Sequence, residues 1–291
     1  MFMQTLWLFL FGKGMIRMKN QTEELTIYRS RRVLFDEVAA LYDEVRPGYP
    51  EALVEDVIAL AGIGENGRIL EVGCGPGKAT LPFAKRGYRM LSIELGEHLA
   101  ALAAKNCGPF PNVEILRNAF EDWPLEENGF DLAISGEAFH WIPPEIGYPR
   151  LAQALKLGGS AALFWNLRPF PATAVYQAIA AIQKKLAPSI ASIDHVVTPD
   201  WLIQRILTNF ADSNSYGEVT VRQYPWSETL TAERFVKLLD TQSSYLNADK
   251  EIREKLYVAI VDVIEQFGGV VERPYLAILF HALVKKDRVT A

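Results

Sequence analysis

The sequence predicts an α/β fold, a mostly parallel sheet covered by helices on both faces. Three observations carry that expectation. Between about residues 50 and 170, short apolar runs alternate with segments of helical spacing. That rhythm makes successive strands parallel, with the helices as crossovers. The first run ends in a glycine-rich bend, ILEVGCGPG at 69–77, where a strand passes into a helix.

Taken in order, PEALVEDVIALAGI (50–63) has helical spacing, with Leu53, Val57 and Leu60 on one face. RILEVG (68–73) is a short apolar run closed by glycine, the pattern of a buried strand. KATLPFAKRG (78–87) is a helix that stops at Gly87, and YRMLSIE (88–94) is the next strand. GEHLAALAAKN (96–106) consists of good helix formers; VEILRNA (113–119) and FDLAISG (130–136) are strands. PEIGYPRLAQALKLGG (144–159) is expected as a helix and SAALFWN (160–166) as the fifth strand. Beyond Pro169 the rhythm breaks. Residues 172–188 and 199–210 are expected as helices, the second opened by Pro199. VTVRQYPW (219–226) alternates like a half-buried strand, helices follow at about 231–240 and 248–267, and YLAILFHALVKK (275–286) is a final apolar strand. No internal repeat or low-complexity linker divides the chain, which is expected to be a single domain from residue 23 to 291 with helical insertions at about 170–215 and 231–270.

The bulk numbers narrow the function classes. A length of 291 residues supports one large core, and a net charge of −5 with no Lys/Arg-rich run leaves no footprint for nucleic acid or an anionic membrane. The two cysteines, Cys74 and Cys107, make neither a metal-ligand spacing nor a disulfide framework, so no metal is expected and a reduced cytoplasmic setting is the default. The apolar start MFMQTLWLFLF is too short to span a bilayer, which takes about 20 residues, and lacks the basic flank of a secretory signal. Residues 1–22 are therefore expected as a loose or mis-started tail, with Met15 or Met18 as alternative starts and a membrane anchor as the lesser reading.

The glycine bend carries the functional argument. Ligands of an open parallel sheet sit beyond the carboxyl ends of its strands. Gly73, Gly75 and Gly77 follow the first strand there, where a backbone without Cβ atoms lets a ligand touch the chain. A dinucleotide needs G-x-G-x-x-G, but counting from Gly73 puts Lys78 at the third glycine position, and no phosphate-binding P-loop pattern is present. Glu71, two residues before the bend, would repel a pyrophosphate and would favour a ligand bearing ammonium or sulfonium charge. Glu94 ends the second strand, where a carboxylate can accept both hydroxyls of a ribose; capping a helix start is its rival role. Asn118 can pair with an exocyclic adenine amine and Phe120 can flank the ring, although each taken alone is more often a structural residue.

These motifs in this order, E71-V-G-C-G-P-G77, Glu94, N118-A-F120, FDLAISGEAFHW (130–141) and LKLGGSAALFWN (155–166), resemble those of class I S-adenosylmethionine-dependent methyltransferases. The resemblance spans about residues 35–168. FDEVAALYDEVRPGYP (35–50) is similar to the N-terminal helix and lid of the small-molecule branch, which includes trans-aconitate and biotin-pathway carboxyl methyltransferases. The family fold it implies is a Rossmann-like, doubly wound sheet of seven strands with an antiparallel last strand. VTVRQYPW and YLAILFHALVKK would supply strands six and seven, and the insertions would form a lid over the site. The implied cofactor is S-adenosylmethionine, held by Glu71, Gly73, Cys74, Gly75, Gly77, Glu94, Leu95, Asn118, Ala119, Phe120, Ser135 and Gly136, with Tyr42 and Arg46 from the N-terminal lid. Arg46 would pair with the methionine carboxylate. The family commonly has Asp where Asn118 stands; Asn keeps the acceptor and loses the charge.

The implied partner is a small-molecule methyl acceptor, with an oxygen nucleophile such as a carboxylate expected. His140, in AFHWIP, is expected either as a general base, as a donor that positions the acceptor, or as part of a packed turn. Trp141, Trp226 and Tyr245 are candidate walls of the acceptor pocket, while His195 and His281 are expected to be structural. Two other classes compete: a non-catalytic module that keeps the cofactor site, and an NAD-linked dehydrogenase, which Lys78 and Glu71 disfavour.

Overall fold

The computed structural model describes residues 35–191 and 198–286. The expectations for the N-terminal tail and for His195 lie outside the described residues.

Seven strands form one sheet, β1 (Arg68–Val72), β2 (Arg89–Glu94), β3 (Val113–Arg117), β4 (Phe130–Gly136), β5 (Leu155–Leu167), β6 (Tyr216–Thr231) and β7 (Val270–Val284), in the order β3-β2-β1-β4-β5-β7-β6. β1 to β5 pair in parallel, while β7 runs antiparallel to both of its neighbours, β5 and β6. The order reverses between β1 and β4, which places a crevice at the carboxyl end of β1.

The helices are α1 (Ala39–Val45), α2 (Glu51–Ala61), α3 (Thr80–Ala84), α4 (Glu97–Cys107), α5 (Pro144–Ala154), α6 (Ala174–Leu186), α7 (Pro188–Ala191), α8 (Pro199–Asp212), α9 (Ala232–Leu239), α10 (Ser243–Leu246) and α11 (Lys250–Gln266). Alternation along β1 sends Leu70 and Val72 into one apolar cluster, with Leu151, Phe210 and Phe280. It sends Ile69 into another, with Leu53, Val57 and Phe83. These two clusters are the layers on the faces of the sheet. A third cluster, built on Tyr176, Phe235, Leu238, Tyr245 and Ile260, gives the helices after β5 a core of their own beyond the strand ends.

Two boundaries differ from the sequence expectation. The helix at 144–159 ends at Ala154, and Leu155 already begins β5. A left-handed Gly158 (φ 74°) and a register shift between Phe130 and Leu132 let the strand bulge over a Leu-Lys-Leu stretch that the sequence assigns to the helix. β6 and β7 are also longer than their alternating cores. Their pairing runs from Tyr216↔Val284 to Thr231↔Val270, whereas β5 reaches β7 only as far as Leu276. Residues 270–275 therefore form a two-stranded ribbon with β6, past the edge that β5 covers.

Candidate active site

The glycine bend is held by the acid that the sequence singles out. Glu94 Oε2 accepts the Gly75 backbone N–H at 2.8 Å, and its Oε1 accepts that of Gly96 at 2.9 Å. The carboxylate thus ties the bend after β1 to the start of α4. The carboxylate keeps acceptor capacity for a further donor. Burial raises the Glu94 carboxyl, and the backbone N–H groups of Gly96, Gly75 and Leu95 oppose that rise.

Glu71 lies one strand away at the same end of the sheet, wholly buried. Its Oε2 accepts from Thr80 Oγ1 at 2.6 Å and from Ser92 Oγ at 2.7 Å. Its Oε1 is buried and has no partner. Burial pushes its pKa up to about 7, the two hydroxyls pull against that, and the negative charge of Glu94 adds to the rise. A buried acceptor that lacks a donor is costly, about 1–3 kcal/mol. A ligand carrying positive charge would relieve it.

Gly75 has φ 55°, and a Cβ built there would meet no protein atom within 4 Å, so the bend faces open space. Gly136 is the opposite case: a Cβ there would come within 2.4 Å of Tyr49 Oη and 2.6 Å of Phe164 Cε2. A bare backbone, an orphaned carboxylate oxygen and a second acid with spare acceptor capacity fit the sulfonium nucleoside expected from the sequence.

These groups open on a cavity of about 300 Å³ whose walls include Tyr42, Arg46, Glu71, Gly73, Cys74, Gly75, Glu94, Leu95, Asn118, Phe120, Gly136, His140 and Trp141. α1 closes one side as a strap. Lys78, which breaks the dinucleotide spacing, donates to the Asp43 carbonyl at 2.6 Å and pairs with its carboxylate at 3.1 Å. From the C-cap of the same helix, Arg46 donates from Nε to Thr241 Oγ1 at 2.8 Å and from Nη2 to Thr241 O at 2.6 Å. The strap therefore joins the glycine bend to the loop between α9 and α10. The Arg46 guanidinium also lies 4.9 Å from the centre of the Tyr42 ring.

His140 sits in a single 3₁₀ turn after β4. Trp165 Nε1 donates to its Nδ1 at 3.0 Å. An indole N–H only donates, so Nδ1 is the unprotonated nitrogen and the neutral ring carries its proton on Nε2. That arrangement presents a donor at Nε2 and disfavours the general-base role at that atom.

Five sequence-assigned residues stand away from the cavity wall. Gly77 (φ 94°) faces α4, where a Cβ would lie 3.2 Å from Cys107 Sγ. Ala119 is buried behind Phe120, and Ser135 turns inward to donate to Val72 O at 2.6 Å. Tyr245 is fully buried in the core of the cap, where its hydroxyl accepts from Gln183 Nε2 at 2.6 Å. Trp226 stacks on Tyr275 with ring centres 4.6 Å apart and donates to Asn166 Oδ1 at 3.2 Å. Tyr275 and Asn166 line the cavity, so Trp226 supports the wall from behind. His281 is buried within β7.

Sequence reasoning missed Tyr49, Asn166, Gln242, Arg273 and Tyr275, all on the wall. Gln242 lies in the same TQSSY stretch as Tyr245, so the segment was legible and the side facing inward was not. Arg273 lies in the ribbon that the sequence leaves outside a strand. The charged pair Glu272-Arg273 between apolar runs was its only signal.

Among the described residues no group of three or more His, Cys, Asp or Glu could hold a metal ion, and no helix is long and apolar enough to cross a membrane. A family profile described as a methyltransferase domain matches residues 69–159. An uncharacterised methyltransferase of Mycobacterium tuberculosis is 25% identical over 228 residues, which is 78% of this chain and 84% of that protein. A putative type II methyltransferase from Anaeromyxobacter dehalogenans superposes with a TM-score of 0.54 at 21% identity, covering 82% of this chain and 96% of that one. Phosphoethanolamine N-methyltransferase 2 of Haemonchus contortus, solved with S-adenosyl-L-methionine, gives 0.50 at 14% identity, with 86% and 57% covered.

Proposed function

Taking the chain as what its fold and domain make it, a class I S-adenosylmethionine-dependent methyltransferase, we propose that it methylates an oxygen atom of a small-molecule acceptor. The observation that carries the site assignment is the pair of acids on adjacent strands: Glu94 clamps the bend at Gly75, and Glu71 keeps one orphaned oxygen.

When bound, S-adenosylmethionine supplies a methyl carbon already activated by its sulfonium. The chain's own work is to bind, orient and exclude water, which is worth about 7–11 kcal/mol at best. Glu71 faces the positive charge, and Glu94 accepts the ribose hydroxyls with its remaining lone pairs. Leu95, Asn118 and Phe120 frame the adenine. Gly75 lets the methionine portion approach backbone, with Gly73, Cys74 and Gly136 on the same wall. Tyr42 and Arg46 close over it from α1, Arg46 through the guanidinium nitrogen that Thr241 does not use. His140 offers Nε2–H to the acceptor, as the donor from Trp165 dictates. Trp141 belongs to the acceptor side of the cavity. An oxygen nucleophile suits this machinery because an ionised carboxylate or phenolate needs no base, and no base is presented at His140 Nε2. The acidic balance of the chain supports a small molecule over nucleic acid.

The test is a turnover screen with S-adenosylmethionine against carboxylic acids, phenols and amines, with S-adenosylhomocysteine as the readout. Oxygen acceptors are expected to turn over. Turnover confined to amines would contradict the reading.

A further inference from the structure

The far wall of the cavity has the opposite electrical character to the cofactor wall, and it is short of partners. Arg273 is 8% exposed and lines the cavity from the β6–β7 ribbon. Its Nε is buried and has no hydrogen-bond partner. Among the described residues no carboxylate lies within ion-pair distance of it; its guanidinium packs 5.4 Å from the centre of the Phe235 ring and touches the Tyr176 hydroxyl. Glu228 stands opposite Arg273 in the strand register, but the groups that offset the burial of its carboxyl are Arg234, the Tyr275 hydroxyl and Lys78, not Arg273. A second buried donor on the same wall, Gln242 Nε2, has no partner, while the Tyr275 phenol lies beside the Glu228 carboxylate. Arg46 and Arg168 also line the cavity and, with Arg273, act on the Tyr275 phenol as nearby positive charges, against the negative charge of Glu228.

A buried guanidinium without a counterion is unstable unless something completes it. Two unpartnered N–H donors, one of them cationic, call for an anion rich in acceptors. We propose that Arg273 and Gln242 form an anion subsite that holds a carboxylate of the methyl acceptor. A planar carboxylate matches the guanidinium fork with two oxygens. An oxygen that accepts charge-assisted hydrogen bonds has little nucleophilicity left, so the anchored carboxylate is not the group methylated; the acceptor carries its nucleophile elsewhere. The cavity then sorts its two ligands by charge, a sulfonium against Glu71 and an acid against Arg273. This rests on the methyl-transfer reading above and gives it a substrate class.

The experiment uses the full chain loaded with S-adenosylhomocysteine, titrated with phenylacetate, cinnamate and glutarate, with the matching amides, and with phenyl phosphate, binding being followed by ligand-observed NMR. Acids are expected to bind at least about tenfold more tightly than their amides. Arg273→Met is expected to weaken the acids by about tenfold or more while S-adenosylhomocysteine affinity stays within about twofold, and Arg273→Lys to fall between. Retained cofactor affinity shows that a variant is folded. Equal binding of acids and amides, no binding by any acid, or unchanged acid binding in Arg273→Met would overturn the subsite. Preference for phenyl phosphate would overturn the carboxylate assignment. Acid titrations repeated without S-adenosylhomocysteine keep this result separate from the cofactor's: failure of the wild type to bind S-adenosylhomocysteine would sink the methyl-transfer reading by itself.

Discussion

The Glu94 carboxylate accepts the backbone N–H of Gly75, 19 positions earlier in the chain, at 2.8 Å. One side chain thereby ties the bend after β1 to the start of α4, and by the proposed reading it also accepts from the cofactor. Glu94→Ala removes both functions and leaves the N–H groups of Gly75 and Gly96 without an acceptor. Calorimetry is expected to show S-adenosylhomocysteine affinity reduced by about a hundredfold, near 3 kcal/mol. Glu94→Gln, which keeps one acceptor oxygen, should fall between.

Cofactor binding is expected to depend on pH through Glu71. Its folded pKa of about 7 lies above the ordinary 4.5, so the native protein holds a proton that the unfolded chain releases. Its contribution to stability is thus full below pH 4.5 and lost as pH rises through about 7, a loss of about 3 kcal/mol. Denaturant titrations across pH 5–8 should show this decline in the ligand-free wild type and a shallower one in Glu71→Gln. A cation beside Glu71 favours its ionised form, so S-adenosylmethionine binding near pH 7 should release a proton, and Glu71→Gln should abolish that release. A proton count that is the same in both proteins would place the linkage elsewhere.

Gly75→Val separates folding from binding. The bend has room for the side chain, and the left-handed backbone adds a strain of about 1–2 kcal/mol. The variant should fold with a modestly lower Tm, and its affinity for S-adenosylhomocysteine should be lost because the new methyl groups occupy the ligand's side of the bend. Full affinity would mean that the bend does not contact the cofactor.

Removing the indole donor tests His140. Trp165→Phe frees His140 Nδ1 to take the proton and turns Nε2 into an acceptor. With whichever acceptor the turnover screen yields, kcat is expected to fall by about tenfold or more in His140→Ala, and Trp165→Phe to reproduce part of that loss. S-adenosylhomocysteine affinity should be unchanged in both. Unchanged turnover in His140→Ala would make the turn a packing element.

The parallel half of the sheet was legible because each strand is a short apolar run closed by glycine or a polar residue, and Glu71, Glu94 and Asn118 lie at strand ends where sequence position fixes their place. The rest depended on pairing. The ribbon of β6 and β7 exists because the two strands hydrogen-bond to each other past β5, so Arg273 gained a strand position that no local periodicity announces. Tyr245 and Trp226 were placed in the right region and on the wrong side: the cap core takes the first, and the back of Tyr275 takes the second. Lys78 broke a spacing rule in the sequence, and in the fold it fastens α1 over the bend.

Calorimetric titration of the wild-type chain with S-adenosylhomocysteine and, in parallel, with NAD tests the assignment of the bend most directly. The two acids and the bare glycine backbone predict one-to-one binding of S-adenosylhomocysteine at about ten micromolar or tighter, and no heat with NAD. Folded protein that gives no heat with S-adenosylhomocysteine, or that binds NAD tightly, would contradict it.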